Sequence, residues 1–374
     1  MTQHIAWNWR CVGIKGSRGV GKTTMLLQQM KASDIGDQSI YLSLDDLHFK
    51  HFTLRETVEA FRRDGVTHFY LDEVHKYTGW SMEIKNLFDL YVDIHLVFTG
   101  SSLVELHRQE ADLSRRAVMY DLPGLSFREY LAFSDHLAFP SYDLDFLLAH
   151  HRDIALEISS QIKPIAHFKQ YLIDGYYPFF LEDRPLTPVW LRQVVNLILN
   201  LDISNAEGMP TLQTQKIARL LQFISSSAPF KPNFANLSRT LGLDRDTIAR
   251  YLNHLEKAQL ISMIYAQASG LSGVQRPEKV YLDNSNLMYA LSGLRVEEGA
   301  VRETFFQNQL RAQHSLTYPA QGDFLVNERY VFEVGGKGKT KRQIASLPDS
   351  FLVLDDIESG SEGVIPLWLM GFLY

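Results

Sequence analysis

Short apolar runs alternate with longer amphipathic stretches through the first 122 residues. Residues 12–15, 39–44, 68–71 and 95–99 are apolar segments bounded by turn or charged residues. They are too short for helices and read as strands. Residues 24–32 and 54–63 carry a helical period between them. This alternation predicts a parallel sheet with helices on both faces.

Beyond residue 122 the period changes. Residues 126–133, 143–158, 164–172 and 188–199 read as helices, interrupted by Pro164, Pro178, Pro185 and Pro188, and predict a helical lid subdomain over 123–211. Residues 212–285 give a helix at 214–225, a short helix at 236–241 ended by Gly242, and a third at 245–259 behind Asp244 as N-cap. Strand-like segments at 260–265 and 279–282 flank a Gly/Ser loop at 266–274. Three helices and a two-stranded wing describe a winged helix. Residues 286–374 mix a helix at 301–315 with strands at 323–326, 330–334, 351–354 and 364–368, a small α/β domain.

Composition adds few surprises. Of 374 residues, 45% are hydrophobic and 21% charged, with a net charge of -6, so no global basic field draws the chain to nucleic acid or anionic lipid. A single cysteine, Cys11, excludes an internal disulfide and fits a reducing compartment. The opening residues lack the basic start and apolar run of a signal peptide, and no run of about 18 apolar residues suggests a membrane span. A cytoplasmic protein is expected. Thirteen histidines form no H-E-x-x-H pattern, and one cysteine builds no Cys-rich zinc site.

The chemistry begins at residue 16. Gly16-Ser17-Arg18-Gly19-Val20-Gly21-Lys22-Thr23 satisfies G-x-x-x-x-G-K-[ST] at every position, after a strand and before a helix that opens with Thr24. The glycines let backbone N–H groups turn toward phosphate oxygens at the positive end of a helix. Lys22 neutralises β- and γ-phosphates, and the Thr23 hydroxyl ligates Mg²⁺. A second acidic element agrees: the apolar strand 68–71 ends in Asp72, suited to the Mg²⁺ shell, and Glu73, suited to polarise water. The next strand ends in Thr99-Gly100-Ser101-Ser102, where Thr99, with Ser101 second, is the candidate sensor of the γ-phosphate. These elements predict an α/β fold: a P-loop NTPase parallel-sheet domain (1–122) with helical lid, winged helix and small C-terminal α/β domain. No Asn-Lys-x-Asp guanine-reading motif is present, which favours ATP. A small-molecule kinase also fits the loop alone, although the Asp72-Glu73 pair suits hydrolysis better.

The three elements, in this order, resemble the AAA+ ATPases. With Leu113-Ser-Arg-Arg116-Ala117, Leu125-Ser-Phe-Arg-Glu-Tyr-Leu131, the stretch 171–180 (YLIDGYYPFF), 279–284 and 332–337, the chain resembles a bacterial and archaeal family with an AAA-type ATPase domain followed by a DUF4143 region. The resemblance implies an arginine finger near Arg115 and Arg116, with Arg116 favoured, supplied to a neighbour's γ-phosphate and hence a homo-oligomer. It also implies a restriction-endonuclease-like tail. Asp323 and Glu333 resemble the D…(D/E)-x-K pattern, but the lysine position is Gly335 and the next lysine is Lys337.

Residues 212–285 hold nine basic and five acidic side chains, +4, leaving -10 for the other 300 residues. Arg245, Arg250, Tyr251, His254 and Lys257 are the candidate DNA-facing residues of the third helix, with Arg276 and Lys279 near the wing. A helix used only for packing or protein contacts is an equal reading. The function expected is an ATPase acting on a DNA or protein partner. The alternatives are a nucleotide-switched regulator with little turnover and an ATP-controlled nuclease.

Overall fold

The computed structural model describes residues 5–101, 113–204, 211–267, 276–292 and 296–374. Ser102 and most of the 266–274 loop lie outside them. The chain forms two compact units: Met1–Gly124 with Asn200–Met209, and Leu125–Leu199 with Pro210–Tyr374.

In the first unit, strands β1 (Cys11–Lys15), β2 (Ser39–Ser43), β3 (His68–Asp72), β4 (His95–Gly100) and β5 (Val118–Asp121) form one sheet in the order β2-β3-β4-β1-β5. Every pairing is parallel. Helices α1 (Lys22–Ala32), α2 (Leu54–Arg63) and α3 (Trp80–Leu90) connect the strands.

Period-two alternation divides the core. Phe69, Leu71, Leu96 and Phe98 join Trp80, Ile84 and Leu87 of α3 and Leu54 and Val58 of α2 in one apolar cluster. Tyr70, Val97, Val12 and Ile14 join Met25 and Leu26 of α1 in the other. Strands buried on both faces, here β1, β3 and β4, read as nearly continuous apolar runs, and the partly buried edge strand β2 still shows Ile40-Tyr41-Leu42 at its centre. The edge strand β5 does not. Its residues are partly exposed, and V-M-Y-D shows neither a run nor an alternation.

α2 starts at a capping box. Thr53 accepts from the Glu56 backbone N–H, and the Glu56 side chain accepts from Thr53 in return.

The second unit opens with α4 (Phe127–Ser134), α5 (Leu144–Ser159), α6 (Pro164–Asp174) and α7 (Thr187–Leu197). A π-helical turn, Ile198–Ile203, follows, in which the chain re-enters the first unit at Asn200 and leaves it again after Met209. Next come α8 (Thr211–Ser227), α9 (Phe234–Leu241) and α10 (Arg245–Lys257), then the antiparallel pair β6 (Ile261–Ile264) and β7 (Lys279–Leu282). α11 (Ser285–Ser292) and α12 (Glu298–Leu310) lead into a sheet of order β12-β11-β10-β9-β8. Its strands are β8 (Leu316–Thr317), β9 (Phe324–Val326), β10 (Tyr330–Gly335), β11 (Ser350–Leu354) and β12 (Val364–Pro366).

Several boundaries differ from the sequence reading, with α8 and α9 starting three and two residues earlier than expected. α10 stops at Lys257 because Gln259 takes a positive φ of 53° before β6. α12 runs from Glu298 to Leu310 rather than over 301–315. The strand expected at 364–368 turns at Pro366 into a 3₁₀ segment, Leu367–Phe372. Among the described residues, no helix is long and apolar enough to cross a membrane.

Candidate nucleotide site

β1 ends at Lys15 and α1 begins at Lys22, so Gly16–Gly21 form the connecting loop. Gly19 and Gly21 take φ of 85° and 96°, the left-handed region where a Cβ is penalised. Gly21 is also the N-cap of α1, so the loop closes directly onto a helix N-terminus. Ser17 and Val20 are buried, whereas Thr24 is exposed on the first turn of α1. Lys22 is 5% exposed, and its ammonium donates to Gly16 O at 2.9 Å and Ser17 O at 2.8 Å. Burial, reinforced by the charge of Arg18, lowers its pKa to about 8, although Glu73 pulls the other way.

Because β4 lies between β1 and β3, residues at its C-terminal end reach the acidic pair on β3. Asp72 is the hub. Its Oδ2 accepts from Thr23 Oγ1 at 2.7 Å and from Tyr41 OH at 2.9 Å. Its Oδ1 accepts from the Glu73 backbone N–H at 2.9 Å and from the buried Thr99 hydroxyl. Thr99 therefore bonds the carboxylate, and Ser101 bonds Glu73, donating to Oε2 at 3.0 Å. Glu73 has φ 52°, unusual for a residue with a side chain and of a kind that clusters at functional sites.

One partner was not legible in the sequence. Arg18 donates from Nε and Nη2 to both oxygens of Asp202, each at 2.8 Å. Burial opposes the guanidinium charge, but the bonds and charge of Asp202, with Glu73, outweigh it and hold Arg18 protonated. His75 Nε2 lies 3.4 Å from both Arg18 Nη2 and Glu73 Oε2. Burial, with the charges of Arg18, Lys76 and Lys22, lowers the His75 pKa to about 3. The ring is therefore neutral, and Nε2 accepts from Arg18 or donates to Glu73 according to its tautomer.

The remaining candidates have other partners or are exposed. Arg116 makes a bidentate pair with Asp89 at 2.8 Å, and its carbonyl accepts from Trp9 Nε1. Arg115 is exposed, with φ 71°. On α10, Arg245, Arg250 and Lys257 are exposed. Tyr251 and His254 are 1% and 5% exposed, so they belong to the core and not to the outward face. Lys279 is likewise spent internally, 2.6 Å from Glu303 and 3.8 Å from Asp323.

In the C-terminal sheet the lysine that meets the acidic pair is Lys339, not Lys337. Its Nζ is 2.7 Å from Glu333 Oε1 and 3.3 Å from Asp323 Oδ2. The chain turns after β10, with Lys339 N donating to Gly336 O. A Cβ on Gly335 would fall 2.2 Å from Lys339 Cδ, so the absent side chain leaves room for the returning lysine. Among the described residues, no cluster of three or more His, Cys, Asp or Glu is arranged to hold a metal ion alone.

Residues 8–131 match the family described as an AAA domain. Residues 165–298 match a domain of unknown function, DUF8612, rather than the expected DUF4143. That expectation leaned on stretches such as 171–180, where Tyr171, Tyr176, Tyr177 and Phe180 are buried packing residues that distinguish families poorly. An uncharacterized protein of Methanocaldococcus jannaschii is 26% identical over 366 residues, covering 89% of this chain and 77% of its own. A Walker-type ATPase of Pyrococcus abyssi aligns at 11% identity with a TM-score of 0.43, over 76% of this chain and 91% of that one. The matched AAA domain, with the geometry of the loop, supports a nucleotide-binding, ATPase-like protein of the P-loop class.

Proposed function

We propose that the chain binds ATP with Mg²⁺ at Gly16–Thr24, hydrolyses it in the first unit, and couples nucleotide state to a DNA or protein partner. The observation that carries this reading is Asp72, whose two oxygens gather Thr23, Tyr41, Thr99 and the Glu73 backbone. Hard oxygen donors from one carboxylate and one hydroxyl fit Mg²⁺, which takes most of its remaining ligands from phosphate and water. Thr23 and Asp72 would hold it, and when bound it neutralises charge on the phosphate oxygens.

This chain's residues do the rest. Lys22 exchanges the carbonyls of Gly16 and Ser17 for β- and γ-phosphate oxygens. Glu73 accepts the proton of the attacking water, and Thr99 fixes the Asp72 carboxylate. Arg116, on giving up Asp89, serves a neighbour's γ-phosphate in a homo-oligomer. Residues 212–285 act as a winged helix that offers Arg245, Arg250 and Lys257 to duplex phosphates. A second reading, a slow nucleotide switch, is favoured by the Ser101 bond that engages the Glu73 carboxylate. Cleavage by the C-terminal unit is not part of either reading, because Lys339 occupies both carboxylates of the acidic pair.

ATP hydrolysis measured against protein concentration, with and without duplex DNA, tests this. Lys22→Ala should be inactive. Glu73→Gln should bind ATP yet lose roughly 100-fold or more in turnover. Full turnover in that variant would sink the assignment. Activity rising with concentration and with DNA selects the assembling ATPase, and tight binding with negligible turnover selects the switch.

A further inference from the structure

The Arg18–Asp202 pair joins two parts of the first unit that are 184 positions apart. Both side chains are mostly shielded from water, with exposures of 15% and 6%. Asp202 lies in the π-helical turn Ile198–Ile203, within which the chain passes from one unit to the other. Single π turns inside helices often mark functional positions.

Arg18 is also part of the phosphate-binding loop. Lys22 and Glu73 are close enough to act electrostatically on it or be acted on by it, and His75 Nε2 stands between Arg18 and Glu73 at 3.4 Å from each. The cluster thus gathers two basic side chains, Arg18 and Lys22, and three acidic ones, Asp72, Glu73 and Asp202. The Nε–Nη2 fork of the Arg18 guanidinium, held here by Asp202, takes a carboxylate or a phosphate in the same bidentate manner.

We propose that Asp202 is a nucleotide-sensing residue. It holds Arg18 until the γ-phosphate of ATP takes the same fork, and its release frees the turn 198–203. The inference rests on the reading of the loop as an ATP site and deepens it by assigning ATP-versus-ADP discrimination to one ion pair. ADP lacks the competing group and leaves the pair closed. Asp202 becomes surplus negative charge only when a third phosphate arrives, so the turn reports the γ-phosphate and not occupancy of the site. No covalent step is involved.

The test uses the full chain, with ATP and ADP affinities measured by titration calorimetry for wild type, Asp202→Asn and Arg18→Ala. Asn keeps the shape but removes the competing charge. Asp202→Asn should bind ATP about tenfold more tightly with ADP unchanged, and Arg18→Ala should lose the preference for ATP over ADP. In wild type, amide exchange of 198–203 should be faster with ATP than with ADP. Equal shifts for both nucleotides in Asp202→Asn, or the same exchange in both states, overturns the proposal. Absence of nucleotide binding in wild type instead overturns the ATP-site reading, so the two failures are distinguishable.

Discussion

Thr23 and Asp72 stand 49 positions apart in the chain and meet through a single 2.7 Å hydrogen bond. The first follows the loop lysine and the second ends the strand two places away in the sheet, so β4 fixes the span between them. Asp72→Ala would leave the Thr23, Tyr41 and Thr99 hydroxyls without their acceptor. Of these, Thr99 is buried, Tyr41 half-buried and Thr23 exposed enough to turn to water, and a buried donor left unpaired costs about 1–3 kcal/mol, so a loss of roughly 1–3 kcal/mol in urea unfolding is expected. Asp72→Asn should unfold much closer to wild type while losing Mg²⁺-dependent turnover. Equal stability of the Ala variant and wild type would show that the hub does not hold the loop.

Lys22 makes nucleotide affinity pH-dependent. Its free-state pKa is about 8 because burial disfavours the ammonium. Phosphates favour the ammonium, so binding above pH 8 draws in a proton and weakens about tenfold per pH unit until the bound-state pKa is passed. Calorimetry at pH 9 in two buffers of different ionisation enthalpy should report uptake of about one proton that Lys22→Ala lacks. No uptake at pH 9 would mean that another group meets the phosphates.

The C-terminal sheet gives a second pH signature. Burial raises the Glu333 pKa, and Lys339 is the partner that pulls it back down. A raised carboxyl binds its proton more tightly when folded, so its contribution is complete below the ordinary carboxylate range and is lost as pH rises through the folded value. Lys339→Met raises that value further. The variant should therefore match wild type in mild acid and fall about 3 kcal/mol behind at pH 8 in urea titrations. A deficit independent of pH would place the role of Lys339 elsewhere.

The exposed arginines of α10 allow a separate test. Arg245→Glu with Arg250→Glu should weaken duplex binding and reduce the slope of log affinity against log salt by about 2, leaving ATP affinity unchanged. An unaltered slope would exclude this helix face as the contact.

Strands β1, β3 and β4 were legible because they are buried on both faces, β2 because Ile40-Tyr41-Leu42 forms an apolar run at its centre, and the loop because its chemistry is local to eight residues. β5 was not, because its four residues, V-M-Y-D, form neither an apolar run nor an alternation. The roles at the end of β4 were only half legible. Sequence marks Thr99 and Ser101 as polar residues after an apolar run, but sheet order decides that they bond Asp72 and Glu73. Tyr251 and His254 were misplaced for a related reason, since aromatic and imidazole side chains suit an interface or a core equally well, and packing chose the core. Lys339 was missed because counting along β10 assumes a straight strand, and the chain turns at Gly335-Gly336. Asp202 left no local signal. It sits beside Arg18 only because the chain returns to the first unit after leaving it at Gly124.

That return has a consequence for how the protein is made. Arg18 leaves the ribosome 184 residues ahead of Asp202. At about 5–20 residues per second the delay is on the order of 10–40 s, long beside the folding time of a small domain. During that interval a nascent first unit has its phosphate loop and acidic strand but no carboxylate on Arg18. An expression fragment ending at Gly124 would be permanently in that state. It should resemble the Asp202→Asn variant in nucleotide preference rather than the whole chain.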